Sequence, residues 1–355
     1  MYLQVKIDFV KKKIDSRDNK CYNYSLMKTL KYSEVSLVPN YSTCESRSAA
    51  STSIVFGEQQ FNLPIVPANM KSVINTDIAR WMSSARYFYI MHRFDIDLLD
   101  FVTQANKEDW ETISISVGVK DADMDLLIRA SSLQLRIDYI TIDIAHGHSK
   151  NMEEAIEVVR RFYPNAYLIA GNVATPQAVS DLSRWGADCV KVGVGQGSPC
   201  TTKYKTGFTV PMFTCVWQCG QLPKYRKFEF GDIEENAAEI PIIADGGIKH
   251  NGDIAKALTA RARMVMAGGI FASCSDSPAR TIKIEGEDRK AYFGSASSQN
   301  KGHLNHIEGT LKNLPPNGLT YEGKLREIRQ DLQSAISYAG GCDLTAFNKV
   351  KFEVV

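Results

Sequence analysis

From residue 64 onward the chain alternates short apolar runs with longer stretches whose apolar residues recur every three or four positions. The short runs are Pro64–Ala68, Tyr87–Met91, Thr112–Val117, Tyr139–Ile144, Tyr167–Ala170, Cys189–Val194, Pro241–Ala244 and Arg263–Ala267. They are rich in Ile, Val and Tyr and too short for helices, so the pattern predicts eight buried strands. Asn151–Tyr163, Pro176–Trp185 and Gly252–Ala260 carry the spacing of amphipathic helices. Several runs close on turn residues just ahead of the next helix: Val117-Gly118, Gly171-Asn172, Asp245-Gly246-Gly247 and Gly268-Gly269.

Eight such units predict an α/β fold, a closed (β/α)8 TIM barrel with its strands between about residues 64 and 269. An open doubly wound sheet would carry Gly-x-Gly-x-x-Gly after its first strand. The cluster Gly193-Val194-Gly195-Gln196-Gly197 comes late and is spaced differently. Three segments lie outside the rhythm. Met1–Asn62 is a polar lead-in, expected to lay a short strand or hairpin across the barrel bottom. Gln218–Glu239 is a charged insertion ahead of the seventh strand. Residues 270–355 form an extension, a Gly/Ser/Asn-rich loop followed by a helix over Gly323–Tyr338. None resembles an independent domain, so residues 1–355 read as one.

Composition narrows the partners. The chain has 355 residues, 44% hydrophobic and 23% charged, within the range of soluble globular proteins. Its 42 Lys+Arg nearly balance 40 Asp+Glu, without the basic excess of a nucleic-acid binder. No apolar run reaches the roughly 18–20 residues of a membrane helix. Lys11, Lys12 and Lys13 precede no apolar stretch with a cleavage site, so a secretory signal is not expected. The eight cysteines form no Cys-x-x-Cys pair, which suits a reduced, cytoplasmic protein. Cys215 and Cys219 lack a second pair at zinc spacing and read as buried thiols of a helix.

In a barrel, the loops that follow the strands form the active face. The loop after the sixth run, Gly193 to Thr202, holds three glycines in five residues and ends on Pro199-Cys200-Thr201-Thr202. A thiol at the end of such a loop is either a nucleophile held among backbone amides or a loop cysteine without a role. The pairs Gly246-Gly247 and Gly268-Gly269 follow adjacent strands, where barrels bind phosphate on glycine amides and a short helix N-terminus. His146 and His148 follow the fourth run and are placed to face a ligand, but a third metal ligand is missing. His92, beside Arg93, reads equally well as structural.

These segments resemble the IMP dehydrogenase/GMP reductase family. The resemblance is carried by Gly193–Thr202, Pro67-Ala68-Asn69-Met70, Asp143-Ile144-Ala145-His146-Gly147, Ala170-Gly171-Asn172 and Ala244-Asp245-Gly246-Gly247, and downstream by Tyr292–Ser297 and Asp331–Gly341. It runs in order from about Lys31 to the C-terminus. Phe94–Glu111 is too short for the regulatory modules that the dehydrogenases insert after strand two. No Arg-Tyr pair, their water-activating flap, occurs between Gly269 and Val355. Ile307-Glu308-Gly309 is instead similar to the segment in which the reductases carry a glutamate. The resemblance therefore implies NADPH-dependent reductive deamination of GMP to IMP and ammonia, in a cytoplasmic homotetramer.

By the same resemblance Cys200 is the nucleophile at purine C2, and Thr202 and Glu308 handle the leaving amine. Asp245 would bind the ribose, and Gly246, Gly247, Gly268 and Gly269 the phosphate. Gly294, Ser295, Ala296 and Gly309 would sit beside the base and ribose. Arg93, Asp143, Ile144, Ala145, Ser337 and Tyr338 would hold the cofactor. A monovalent cation, K+, would rest on the carbonyls of Gly195, Gly197 and Cys200. Gln196, Pro199, Thr209-Val210-Pro211-Met212 and the insertion at 218–239 depart from the family pattern. Three other readings remain open: a dehydrogenase without its regulatory modules, a nucleotide-binding barrel that has lost catalysis, and an FMN-dependent barrel enzyme.

Overall fold

The computed structural model describes residues 29–227, 233–301 and 305–355. Lys11, Lys12, Lys13, Cys21, Glu229 and Asp232 lie outside them. Strand β1, Val35–Val38, pairs antiparallel with the C-terminal strand Lys351–Val354, so the two ends of the described chain are stitched together. The lead-in then forms a hairpin, β2 (Ile54–Phe56) and β3 (Gln59–Phe61), across the barrel bottom as expected. Its Phe56 and Phe61 are buried against Phe88, with ring centroids 5.0 and 5.2 Å apart. Tyr139, the first residue of its strand, donates its hydroxyl to the Phe56 carbonyl at 2.6 Å, which fixes the hairpin to the N-terminal end of the barrel.

β4 (Ile65–Pro67), β5 (Ser114–Val117), β6 (Tyr139–Asp143), β7 (Tyr167–Val173) and β8 (Cys189–Val192) belong to one curled parallel sheet. The charged insertion forms an antiparallel hairpin, β9 (Pro223–Lys227) with β10 (Ile233–Glu239). β11 (Ile242–Asp245) and β12 (Met264–Ala267) complete the sheet in the order β4-β12-β11-β8-β7-β6-β5. Helices surround it, giving a TIM-barrel-like fold. Alternate strand residues point inward, and Val66, Ile169, Cys189, Ile243, Met264 and Met266 meet the hairpin rings in an interior cluster.

One expected strand is corrected. Tyr87–Met91 is buried throughout, yet only Met91 bridges β5, through Met91 N to the Ser114 carbonyl and Ser116 N to the Met91 carbonyl. The reason lies in Tyr89. Its hydroxyl donates to the Thr112 carbonyl at 2.8 Å and accepts from Ser114 N at 3.4 Å, taking positions that a backbone ladder would occupy. The sheet therefore has seven strands, with the second run packed beside β5.

The helices are α1 (Thr76–Ser84), α2 (Leu98–Lys107), α3 (Asp121–Ser132), α4 (Lys150–Phe162), α5 (Pro176–Trp185), α6 (Thr202–Thr206), α7 (Met212–Cys219), α8 (Asn251–Thr259), α9 (Gly269–Ala272), α10 (Ser298–Lys301) and α11 (Tyr321–Tyr338). The sequence dictates α5 plainly. Thr175 caps it by accepting from Ala178 N at 3.3 Å, Pro176 supplies a preset φ, and the chain leaves at Gly186. Cys215 and Cys219 are both buried on α7. Among the described residues no helix is long and apolar enough to cross a membrane.

The extension holds more structure than a loop and a helix. β13 (Thr281–Ile284), β14 (Glu287–Phe293) and β15 (Leu311–Leu314) form an antiparallel sheet, and β16 is the C-terminal strand Lys351–Val354. Glu285-Gly286 turns between β13 and β14 with both φ values positive, as a two-residue hairpin requires.

His92 is structural. Its Nδ1 accepts from Phe94 N at 3.2 Å, and the ring also bonds to the Ile74 backbone, tying two loops of the active face. Burial and the nearby Lys71 ammonium push its pKa down to about 4. The unfolded chain protonates this histidine near its ordinary value of about 6.5, so His92 supports stability fully above that pH. The contribution drains away as pH falls toward 4, by on the order of 3 kcal/mol at most. His92→Asn is expected to flatten the fall in Tm between pH 7 and 4.5; an unchanged slope would contradict the assignment.

Candidate active site

The loop after β8 and the extension meet over the barrel mouth. Thr201 N donates to the Glu308 carbonyl at 2.8 Å, Thr310 N to the Pro199 carbonyl at 2.8 Å, and Glu308 N to the Ala296 carbonyl at 3.0 Å. Bridges Cys200↔Gly309 and Ser297↔Gly309 complete the seam. These bonds bring Glu308 to the first residue of α6. The Thr202 hydroxyl donates to Glu308 Oε2 at 2.6 Å, and the Cys200 thiol donates to Thr202 Oγ1 at 3.2 Å. Thiol, hydroxyl and carboxylate thus form one hydrogen-bonded chain, able to carry a proton in either direction between sulfur and carboxylate.

The chain opens on a cavity of about 630 Å³. Gly246, Gly247, Gly268 and Gly269 line it, as do Arg93, Asp143, Ile144 and Ala145. Gly294, Ser295, Ala296, Gly195, Gly197 and the trio line it as well, and Gly309 lies at the seam. Gly268 admits a close neighbour: a Cβ there would meet the Tyr292 hydroxyl at 2.1 Å. Burial and the nearby Asp245 and Cys200 keep that phenol protonated by raising its pKa.

Two carboxylates stand at the top of the sheet. Asp143 Oδ1 and Asp245 Oδ2 each lie 2.8 Å from Lys191 Nζ. Asn69 donates to Asp143 and Asn172 to Asp245, both at 2.8 Å. Burial alone would raise the Asp143 pKa, but the Lys191 ammonium and the Asn69 bond lower it, so the group is ionised. Buried atoms without a hydrogen-bond partner also line this cavity: Arg93 Nε, Asn172 Oδ1 and Asn300 Oδ1.

Most of the expected residues therefore converge; Ser337 and Tyr338 do not. They end α11 at the barrel bottom, where Ser337 meets Ser42, and Asn40 N donates to the Tyr338 carbonyl. The helix runs there because its middle packs at the strand starts, with Arg329 donating to Tyr87. His148 turns away and pairs with Asp181 of α5 at 3.0 Å, and His146 is exposed outside the cavity. Among the described residues no cluster of three His, Cys, Asp or Glu could hold a metal.

Two departures from the family pattern answer each other. Gln196 Nε2 donates to Thr209 Oγ1 at 2.6 Å, and Thr209 Oγ1 donates to the Val194 carbonyl at 2.8 Å, closing the loop with side chains. Sequence reasoning missed Lys191, Asn69, Asn172 and Tyr292 as members of the site. A lysine inside the apolar run Cys189–Val194 was the signal available.

The profile of the IMP dehydrogenase / GMP reductase domain matches residues 29–355. The chain is 44% identical to the GMP reductase of Leptothrix cholodnii over 329 residues, 93% of this chain and 97% of that protein. It is 44% identical to the GMP reductase of Mesoplasma florum over 325 residues, 91% and 97% of the two chains. Identity to the GMP reductase of Staphylococcus aureus is 43% over 329 residues, again 93% and 97%.

Proposed function

The chain belongs to the IMP dehydrogenase/GMP reductase family, and from that premise we propose that it converts GMP to IMP and ammonia at the expense of NADPH. The observation that carries the proposal is the Cys200–Thr202–Glu308 hydrogen-bonded chain at the cavity. The Cys200 thiol proton passes through Thr202 to Glu308 as sulfur bonds to purine C2. The same proton returns through Thr202 to the C2 amine, which leaves as ammonia when its C–N bond breaks. Without that proton the amine is a poor leaving group. NADPH, when bound, would supply a hydride to C2; Cys200 then departs as thiolate as the C–S bond breaks, releasing IMP.

The remaining residues bind and orient. Asp245 accepts from the ribose hydroxyls, and the amides around Gly246, Gly247, Gly268 and Gly269 receive the phosphate, helped by the backbone freedom of glycine. Gly294, Ser295, Ala296 and Gly309 flank the base and ribose. A polar group of the cofactor fits beside Asp143, where Arg93 Nε is buried without a partner. Arg93, Asp143, Ile144 and Ala145 would hold the nicotinamide half. K+ would rest on the carbonyls of Gly195, Gly197 and Cys200. The Gly197 carbonyl accepts from Cys200 N at 3.0 Å and keeps a second lone pair for an ion. A cytoplasmic homotetramer completes the proposal.

A panel of purine monophosphates tests it through absorbance at 340 nm. GMP is expected to drive NADPH oxidation, guanosine to be a very poor substrate, and IMP with NAD+ to yield no reduced cofactor. Equal use of guanosine, or NADH formation from IMP, would overturn it.

A further inference from the structure

Lys191 is a charged residue inside the barrel, 2% exposed. It shares β8 with Cys189, two residues earlier, and both side chains point inward. Hydrocarbon would have filled that place at lower cost, because a buried charge is expensive unless paired. The neighbouring strand also passes very close to this position. A Cβ on Gly171 of β7 would stand 2.7 Å from the Lys191 Cβ and 2.5 Å from its carbonyl oxygen.

The ammonium has two partners, and the proposed function gives each a different ligand. Asp245, which ends β11, takes the ribose and Asp143, which ends β6, the cofactor; each lies 2.8 Å from Nζ. Asn172 of β7 and Asn69, after β4, hold the outer edges of the two carboxylates. The other charged or titratable groups facing this network are Arg93, which donates to the Asp143 carbonyl at 3.3 Å, and the protonated Tyr292 phenol, which Asp245 and Cys200 both face. With the ammonium removed, two half-buried carboxylates would face each other across one gap.

We infer that Lys191 is a positioning residue that fixes Asp245 for the ribose and Asp143 for the cofactor with a single buried charge, setting the two ligands in register. It does not touch the reacting atoms. The inference rests on the GMP reductase reading, because that reading gives the two aspartates their ligands. Burial alone would lower the Lys191 pKa, but the two aspartates raise it above its ordinary value, so the charge persists across the working pH range.

The consequence is specific. Without the ammonium, the carboxylate pair relaxes by taking up one proton, as paired carboxylates do. Ribose binding in Lys191→Met should therefore fail at high pH and recover at low pH, a dependence that a packing defect would not produce. IMP is the probe, since it carries the ribose phosphate but no leaving amine. Its Kd is measured by calorimetry without cofactor from pH 6 to 8.5 and taken as a ratio to wild type, which cancels titration of the nucleotide phosphate.

Lys191→Met is expected to bind IMP at least tenfold more weakly than wild type at pH 8.5 and within threefold at pH 6. Lys191→Met/Asp143→Asn, which removes the charge conflict, is expected to stay within threefold of wild type at every pH. It serves alone if the single variant does not fold. A single variant weakened by the same factor at all pH values, or a double variant as weak as the single one, would overturn the inference. Wild-type protein that does not bind IMP would overturn the functional reading instead.

Discussion

Cys200→Ala is expected to lower kcat for NADPH oxidation with GMP by at least about 10³-fold, because no other group here can form the covalent bond to C2. The thiol stands in the cavity and donates to Thr202 Oγ1 at 3.2 Å, so its removal opens a small gap without disturbing the backbone seam. That seam runs through Thr201 N, Pro199 O and Thr310 N and needs no sulfur. Folding and GMP affinity should therefore persist, with a change of a few-fold at most. Cys215 and Cys219 are buried on α7 and cannot substitute. Activity above a few per cent of wild type in Cys200→Ala would remove covalent catalysis from the mechanism.

Glu308→Gln separates proton transfer from binding. The amide keeps the size of the carboxylate and an oxygen to accept from Thr202, now 2.6 Å from Glu308 Oε2, but it cannot take or return a proton. Deamination is expected to slow by roughly 10²–10⁴-fold, the usual worth of a positioned acid–base group. Ammonia release in a single turnover should carry the whole defect, while GMP affinity changes little. If Glu308 were only a solvated carboxylate, the variant would release ammonia at the wild-type rate.

How much of this was legible in the sequence differs from element to element. The pattern of apolar positions reports burial, and it placed the helices Pro176–Trp185 and Asn251–Thr259 to within a residue or so of their bounds. It could not report hydrogen bonding. Tyr87–Met91 is as buried as a strand, yet the Tyr89 hydroxyl takes the bonds of a ladder, a choice invisible in hydrophobicity. The sheet β13-β14-β15 was missed because its strands bury little: β15 is largely exposed, and β13 shows every second residue to solvent.

The site followed the same division. Cys200 and Thr202 are neighbours in sequence, and the glycine loop around them drew attention to the thiol. Glu308 joins them across 106 residues, an apposition that only the resemblance could suggest. Lys191 lay inside an apolar run, where its own charge was the one clue, and its partners Asp143 and Asp245 sit 48 and 54 positions away in sequence. Ser337 and Tyr338 show the reverse case. A motif placed them with the cofactor, and the direction of α11 takes them to the far end of the barrel.

The central claim is that hydride replaces an amine at C2 of GMP, with Cys200 bonded there in between. NADPH deuterated at the transferred position, incubated with GMP and wild-type protein, tests it in one mass spectrum. IMP one mass unit heavier than normal, with one ammonia per NADPH consumed, is the expected result. NADPH oxidation that leaves GMP unchanged, or IMP without deuterium at C2, would contradict it.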